Sequence, residues 1–312
     1  MVANPDYDAI LSTTLANYLP KLEDNIFTAR PFVFFLKQAD QIRTISGGTK
    51  IVLPLIHALN GTAGSYSQYD TLPTTPQDGI SAAEFDWKEY AVSIAISGFE
   101  EAVNSGEEQV IDLLEAKTMQ AEESVLEDWD QMFLGDGTGN GGKDWLGLET
   151  LVGQNATAVG GIDPSTDTFW RSNINTTAEV LAISRMTNMY NTCAVGNDKP
   201  NVILTSQVLF EKYESLLQPQ LRYADTRTAD AGFQNLLFKG APVTYDDYVA
   251  ADDMWFLNTK YLRLVGHKDV WFKPTPFVRP TNQNARYAQI LCMGNLTVSN
   301  RKRQGVLQGK TA

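Results

Sequence analysis

Hydrophobic positions along the chain change period several times, and those changes divide it. Over residues 1–40 Ile10, Leu11, Leu15 and Leu19 fall near helical spacing before Pro20, and Pro31 opens the aromatic cluster Phe32, Phe34 and Phe35. This segment is too short to bury its own apolar side chains, so the pattern predicts an arm that lies against another surface. Residues 42–98 switch to a two-residue period in IRTISGGTKIVLPLIHAL and AAEFDWKEYAVSIAIS. Between those runs lies NGTAGSYSQYDTLPTTPQDG, a stretch of turn formers, and the expectation is an extended β-hairpin with a long tip. Two strands alone are barely stable in water, so this hairpin too predicts a partner surface.

Residues 104–134 return to the helical period. Ser105 and Glu108 form a capping-box pattern, and Val110, Leu114, Ala121, Val125, Trp129 and Met132 keep to one stripe before Gly135. That predicts a helix about 45 Å long at 1.5 Å per residue. A second capped helix is expected from Thr176-x-x-Glu179 to Cys193, then a buried strand at NVILTS and a helix at QVLFEKYESLLQP. From Phe238 onward the β-type runs APVTYDDYV, MWFLN, YLRLV, VWFKPTPFV and ARYAQILCMGNLTVS return. The class is α+β.

Charge narrows the function. Asp and Glu number 37 against 25 Lys and Arg in 312 residues, a net charge of −12, which disfavours wrapping nucleic acid by phosphate neutralisation. Twelve acidic residues and one basic, Lys117, lie between Glu100 and Asp136. The N-terminus lacks a signal-peptide pattern, and no apolar run approaches the ~18 residues of a membrane span. Cys193 and Cys292 lack CxxC spacing and read as buried reduced thiols. His57 and His267 have no second ligand at zinc spacing, so no metal site and no cofactor is expected.

Catalytic patterns fail on context. Gly137, Gly139 and Gly142 match GxGxxG, but the match follows a helix instead of opening one. Asp136, Thr138 and Asn140 resemble the front of an EF-hand loop, yet Gly147 stands where the closing Glu belongs. A flexible turn is the expectation for this stretch. The adjacent carboxylates Glu100/Glu101, Glu122/Glu123, Asp246/Asp247 and Asp252/Asp253 read as solvated surface. Arg301, Lys302, Arg303 and Lys310 read as a solvated tail or as intersubunit partners for the acidic helix. No catalytic residue is assigned, and the chain is not expected to be an enzyme.

Two passages carry a family resemblance. ESVLEDWDQMFLGDGTGNGGKDWLGLETLV resembles the spine helix and following loop of the major capsid proteins of tailed bacteriophages, the Hong Kong 97 fold. GFQNLLFKGAPVTYDDYVAADDMWFLNTKYLRLV is similar to the same family's strand–turn–strand passage. The resemblance implies an N-terminal arm over 1–39, an E-loop hairpin over 42–98, a peripheral domain over 99–173 and 266–312 containing the spine helix 104–134, and an axial domain over 174–265. It implies a structural subunit that assembles as pentamers and hexamers into an icosahedral shell around packaged double-stranded DNA, made in the host cytoplasm and located in the virion. Expected partners are further copies, a portal, a decoration protein, and either a separate scaffolding protein or none, since the arm from Met1 is short. No specific nucleic-acid binding and no membrane association are expected. The tip from Ala58 to Ala83 holds no lysine, so the lysine–asparagine cross-link of some family members is not expected; covalent ladders on denaturing gels would contradict this. Subunit-interface candidates are Phe32, Phe34 and Phe35 on the arm and Tyr66, Tyr69 and Leu72 on the tip. An encapsulin-type nanocompartment shell is the alternative of the same fold, told apart by its cargo, and an acidic-site hydrolase is the alternative from another class.

Overall fold

The computed structural model describes residues 30–103, 107–217 and 236–312. In chain order it contains α1 (Pro31–Gln38), β1 (Ile42–Ile45), β2 (Ile51–Ile56), β3 (Ile80–Phe85), β4 (Lys88–Ser97), α2 (Gly98–Val103) and α3 (Glu107–Leu134). The single turn α4 (Leu148–Leu151), β5 (Asn173–Asn175), β6 (Glu179–Val180), α5 (Ile183–Cys193), β7 (Val202–Thr205) and α6 (Gln207–Leu217) follow. The last elements are β8 (Leu236–Phe238), β9 (Ala241–Tyr245), β10 (Met254–Leu257), β11 (Leu262–His267), β12 (Lys273–Pro274), β13 (Ala285–Val298), β14 (Gly305–Leu307) and β15 (Lys310–Thr311).

Two main sheets organise the chain. In the first, β13 pairs antiparallel with β4, β11 and β12, and β1 joins β11 in parallel. In the second the order is β5–β14–β10–β7–β9–β8. Side chains alternate across a strand, and here the alternation separates two cores. Val202, Leu204, Trp255, Leu257 and Val306 face a core shared with the first sheet, α1 and α3. Ile203, Met254, Phe256 and Leu307 face a second core closed by Met186 and Tyr190 of α5 and Leu209 and Tyr213 of α6. Burial on both faces explains why VILT and MWFL are continuous apolar runs.

Each long β run of the sequence is two strands. Gly47 and Gly48 at φ +79° and +102° break the first run. Asp86 and Trp87 break the second, and the Trp87 Nε1–H donates to the Gly48 carbonyl at 2.9 Å, fastening the two breaks together. Below that point β1 and β4 belong to the first sheet; above it β2 and β3 pair only with each other. The expected hairpin is therefore confined to 51–85.

Three further readings change. The helix expected from Thr176 begins at Ile183, because Glu179 and Val180 form a parallel pair with Lys310 and Thr311. The boundary at 265/266 falls within β11, which belongs entirely to the first sheet, and the one at 173/174 falls within β5. The C-terminal β14 crosses back into the second sheet beside β10. Of VWFKPTPFV only Lys273 and Pro274 are strand. The Ser105 cap lies outside the described residues.

Candidate assembly surfaces

The ribbon of β2 and β3 alternates strictly. Ile51, Leu55, Ala83 and Phe85 are buried against the body, where the Glu84 N–H donates to the Gly160 carbonyl at 2.9 Å. The opposite face presents the cross-strand pairs Val52–Glu84, Pro54–Ala82 and Ile56–Ile80. Ile56 is 83% exposed and Ile80 74%. A strand face turned to water is ordinarily polar; here, apart from Glu84, which pairs with Lys50, the outer face is apolar and no described residue covers Ile56 or Ile80. No further described strand joins either outer edge of the ribbon, and among the described residues the Glu84–Gly160 backbone bond alone holds the β3 edge to the body.

The tip continues this exposure. Leu59, Tyr66, Tyr69 and Leu72 are all solvent-exposed, Tyr69 at 96%. Short local bonds shape the loop: Asn60 Oδ1 accepts from the Thr62 N–H at 2.9 Å, and Asp70 Oδ2 accepts from the Ser67 N–H at 2.7 Å. The structure thus presents all three tip candidates to solvent. The arm candidates are placed differently. Phe32 and Phe35 are buried within this chain's own core, Phe32 edge-on to Phe133 at 6.2 Å, and Phe34 is half-buried against Phe35 at 5.7 Å. Pro31 at the first helical position starts that helix and fixes its entry.

Helix α3 packs one stripe and exposes the other. Ala121, Val125, Trp129, Met132 and Phe133 are buried, and Trp129 sits 5.1 Å from Trp145 and 5.4 Å from Phe272 in an aromatic cluster. Glu123, Glu127 and Asp128 face solvent. Two of them are anchored from other elements: Tyr90 donates to Asp128 at 2.8 Å and Tyr248 to Glu127 at 2.7 Å.

Two described acids on this helix are buried, Glu122, which was read as solvated surface, and Asp130. The Asp130 carboxyl is fully buried beside Asp246, from the turn after β9, with Arg30 Nη1 3.4 Å from its Oδ2. Burial, then the Asp246 charge, push the Asp130 carboxyl up to about 8, and burial likewise pushes Asp246 up. Two carboxyls so placed hold one proton between them at neutral pH, and Arg30 balances the remaining charge. Asp246 was read as solvated surface; the fold buries it because the turn after β9 closes over α3. Residues from the root of the arm, the long helix and the second sheet meet here, with both carboxylate residues buried.

The basic C-terminal residues are not a solvated tail. Arg301 is 0% exposed and donates to the carbonyls of Leu151 at 2.7 Å, Trp170 at 3.2 Å and Gln154. Desolvation lowers its pKa to about 10. Lys310 is also buried, with Nζ donating to Asn175 Oδ1 at 3.0 Å, Glu179 Oε1 at 3.2 Å and the Thr177 carbonyl. Lys302 alone of the four is exposed. Their charges are used to close the ends of loops and strands.

The glycine-rich turn is tied down as well. Asp136 Oδ1 accepts from both the N–H and the hydroxyl of Thr138, at 2.9 and 2.8 Å, and Lys88 donates to the Gly142 carbonyl. Asn140, Gly141 and Gly142 all have positive φ. No nucleotide-binding helix follows. Both cysteines are free and buried, and burial pushes the Cys193 thiol up to about 12. Among the described residues no cluster of three or more His, Cys, Asp or Glu could hold a metal. No described helix is long and apolar enough to cross a membrane.

No protein-family model matches the chain, and no curated protein sequence does. Solved structures do match in fold. A chain of the cyanophage A-1(L) capsid asymmetric unit superposes with a TM-score of 0.68 at 18% identity, over 89% of this chain and 92% of that one. A chain of the satellite phage P4 procapsid gives 0.57 at 11%, over 94% and 90%. A chain of an encapsulin complex from Synechococcus elongatus gives 0.57 at 7%, over 88% of each. These likenesses span nearly the whole length of both partners: the chain has the Hong Kong 97 capsid fold.

Proposed function

We propose that the chain is the major capsid protein of a tailed bacteriophage, a structural subunit that assembles in the host cytoplasm into pentamers and hexamers of an icosahedral head shell. The observation that carries the proposal is the ribbon, whose second apolar face has no cover among the described residues. Buried against a neighbour, that face gains roughly 25 cal/mol for each Å² of apolar surface removed from water. In this reading the ribbon lies on a neighbouring subunit, while α1 (Pro31–Gln38), within the arm expected over 1–39, is packed into its own chain's core. Residues 99–173 with 266–312, which include α3 and β13, form the peripheral domain. Residues 174–265 form the axial domain, with β11 kept in the first sheet and β14 lent to the second. A portal, a decoration protein and a scaffolding protein would complete the particle.

The fold likeness to an encapsulin supports a second reading, a nanocompartment around a protein cargo. The capsid reading is preferred because the stronger likeness is to a phage capsid chain. The buried Asp130–Asp246 pair gives no support to a hydrolase, since neither carboxyl reaches solvent. Negative-stain microscopy of the purified protein, with nucleic-acid and protein cargo assayed in any particles, tests the reading. Closed shells are expected, and small discrete particles at assembly concentrations would contradict it.

A further inference from the structure

The buried carboxyl pair joins three parts of the chain that are far apart in sequence. Asp130 lies near the end of α3, Asp246 follows β9, and Arg30 caps the start of α1. Arg30 Nη1 is 3.4 Å from Asp130 Oδ2, and its guanidinium also lies over the Tyr248 ring at 5.9 Å. The Tyr248 hydroxyl donates to Glu127, just before Asp130 on α3, and Asp247 brings a further negative charge to the pair.

Three oxygens of the pair lack a donor. Asp130 Oδ1, Asp130 Oδ2 and Asp246 Oδ2 are buried and accept no hydrogen bond from a described N–H or O–H group. Buried acceptors are ordinarily satisfied. A proton on Asp130 supplies the missing bond, because its carboxyl is within hydrogen-bond reach of Asp246 and donates to it. Without that proton two like charges face each other out of water, with one guanidinium to balance them.

The turn after β9 hangs on the same group. From 246 to 253 the chain has neither helix nor strand. Asp246 Oδ1 accepts from the Tyr248 N–H at 3.2 Å, and the Asp246 carbonyl accepts from the Val249 N–H at 3.3 Å. Asp130, by contrast, sits on a helix fixed by Trp129 and Phe133 in the aromatic core. If the two carboxyls part, the turn is the element that moves.

We infer that the proton between Asp130 and Asp246 is a latch, which holds the turn at 246–249 and Arg30 closed over α3 and releases the turn when it is lost. The inference concerns the single chain and does not depend on the shell reading. The closed form keeps the proton up to about pH 8, whereas a solvated Asp130 keeps it only to about pH 4. Opening therefore grows with pH through that window, by up to about tenfold per pH unit, and levels above it.

Hydrogen exchange of the full chain from about pH 5 to about pH 9 tests the latch, with rates corrected for the intrinsic pH dependence of amide exchange. Peptides covering 245–250 should lose protection with pH and then level, while peptides from β13 keep theirs. Asp130→Asn donates permanently to Asp246, so the same peptides should become nearly independent of pH. Asp253, at the far end of the turn, also has a raised carboxyl, and its titration survives in Asp130→Asn, which separates the two. Arg30→Gln removes the charge that opposes protonation of the pair, so the levelling point should move to higher pH. An equal slope in Asp130→Asn and wild type overturns the latch, as does an equal slope in β13. Should Asp130→Asn not fold, Arg30→Gln decides: an unmoved levelling point overturns the latch.

Discussion

Arg301 holds three carbonyls from two separate loops and exposes none of its surface. Replacing it with leucine keeps much of the volume but leaves those acceptors buried without donors, at about 1–3 kcal/mol for each. Arg301→Leu should therefore destabilise the fold by roughly 3–5 kcal/mol in chemical denaturation, where a solvated tail residue would show almost no effect. Asp130 gives a pH signature. Its folded pKa is raised, so the native state holds a proton that the unfolded chain, near 3.9, gives up. The resulting stability is fully present below about pH 4 and is lost as pH rises toward about 8. Asp253, raised to about 7 by burial and by the Asp252 and Glu149 charges, adds to the same slope. Denaturation between pH 5 and 8 should show stability falling with pH, and Asp130→Asn should flatten most of that fall. Neither role was legible in sequence. Arg301 is explained only when residues 151, 154 and 170 converge on it. Asp130 did carry a signal, since it adjoins Trp129 on the buried side of the helix.

At the scale of elements, the long helix was the most legible, because a stripe at three- and four-residue steps admits one reading and the following Gly135 ends it. The close of that helix has its own requirement at Gly147. A Cβ there would lie 2.2 Å from the Gly135 carbonyl oxygen and 2.4 Å from that of Met132, both backbone atoms with little freedom to move. Gly147→Ala should cost about 1–3 kcal/mol, measurable as a lowered denaturation midpoint. The hairpin was legible in kind but not in extent. Period-two runs do not show whether a strand pairs with its hairpin mate or with a distant strand, and β1 and β4 chose β11 and β13. The helix expected at Thr176 failed for a similar reason: Glu179 was captured by Lys310, 131 residues away. The ribbon's uncovered face yields the sharpest prediction at this scale. Ile56→Asp with Ile80→Asp should leave the far-ultraviolet spectrum and thermal midpoint of the unassembled chain nearly unchanged, since both side chains already face water. The same pair should abolish assembly on a sizing column; unimpaired assembly would remove the ribbon from the interface.

Taken whole, the molecule exposes 16782 Å², against about 13,000 Å² that surface scaling gives a compact monomer of its mass. The ribbon and tip contribute exposed apolar side chains, among them Ile56, Leu59, Tyr69 and Ile80. The charge fits the same picture. Exposed acids line the outer stripe of α3, while Arg301 and Lys310, two of the basic C-terminal residues, are consumed in internal bonds. A shell wall with this surplus of acid would enclose nucleic acid without gripping it. The central claim is that the chain completes its burial only against further copies of itself. A cryo-electron microscopy reconstruction of the assembled protein tests it most directly, by asking what lies over Ile56 and Ile80. The account predicts a closed icosahedral shell in which a neighbouring subunit covers both residues. A shell with that face open to solvent, or a protein that stays monomeric at every concentration, would contradict it.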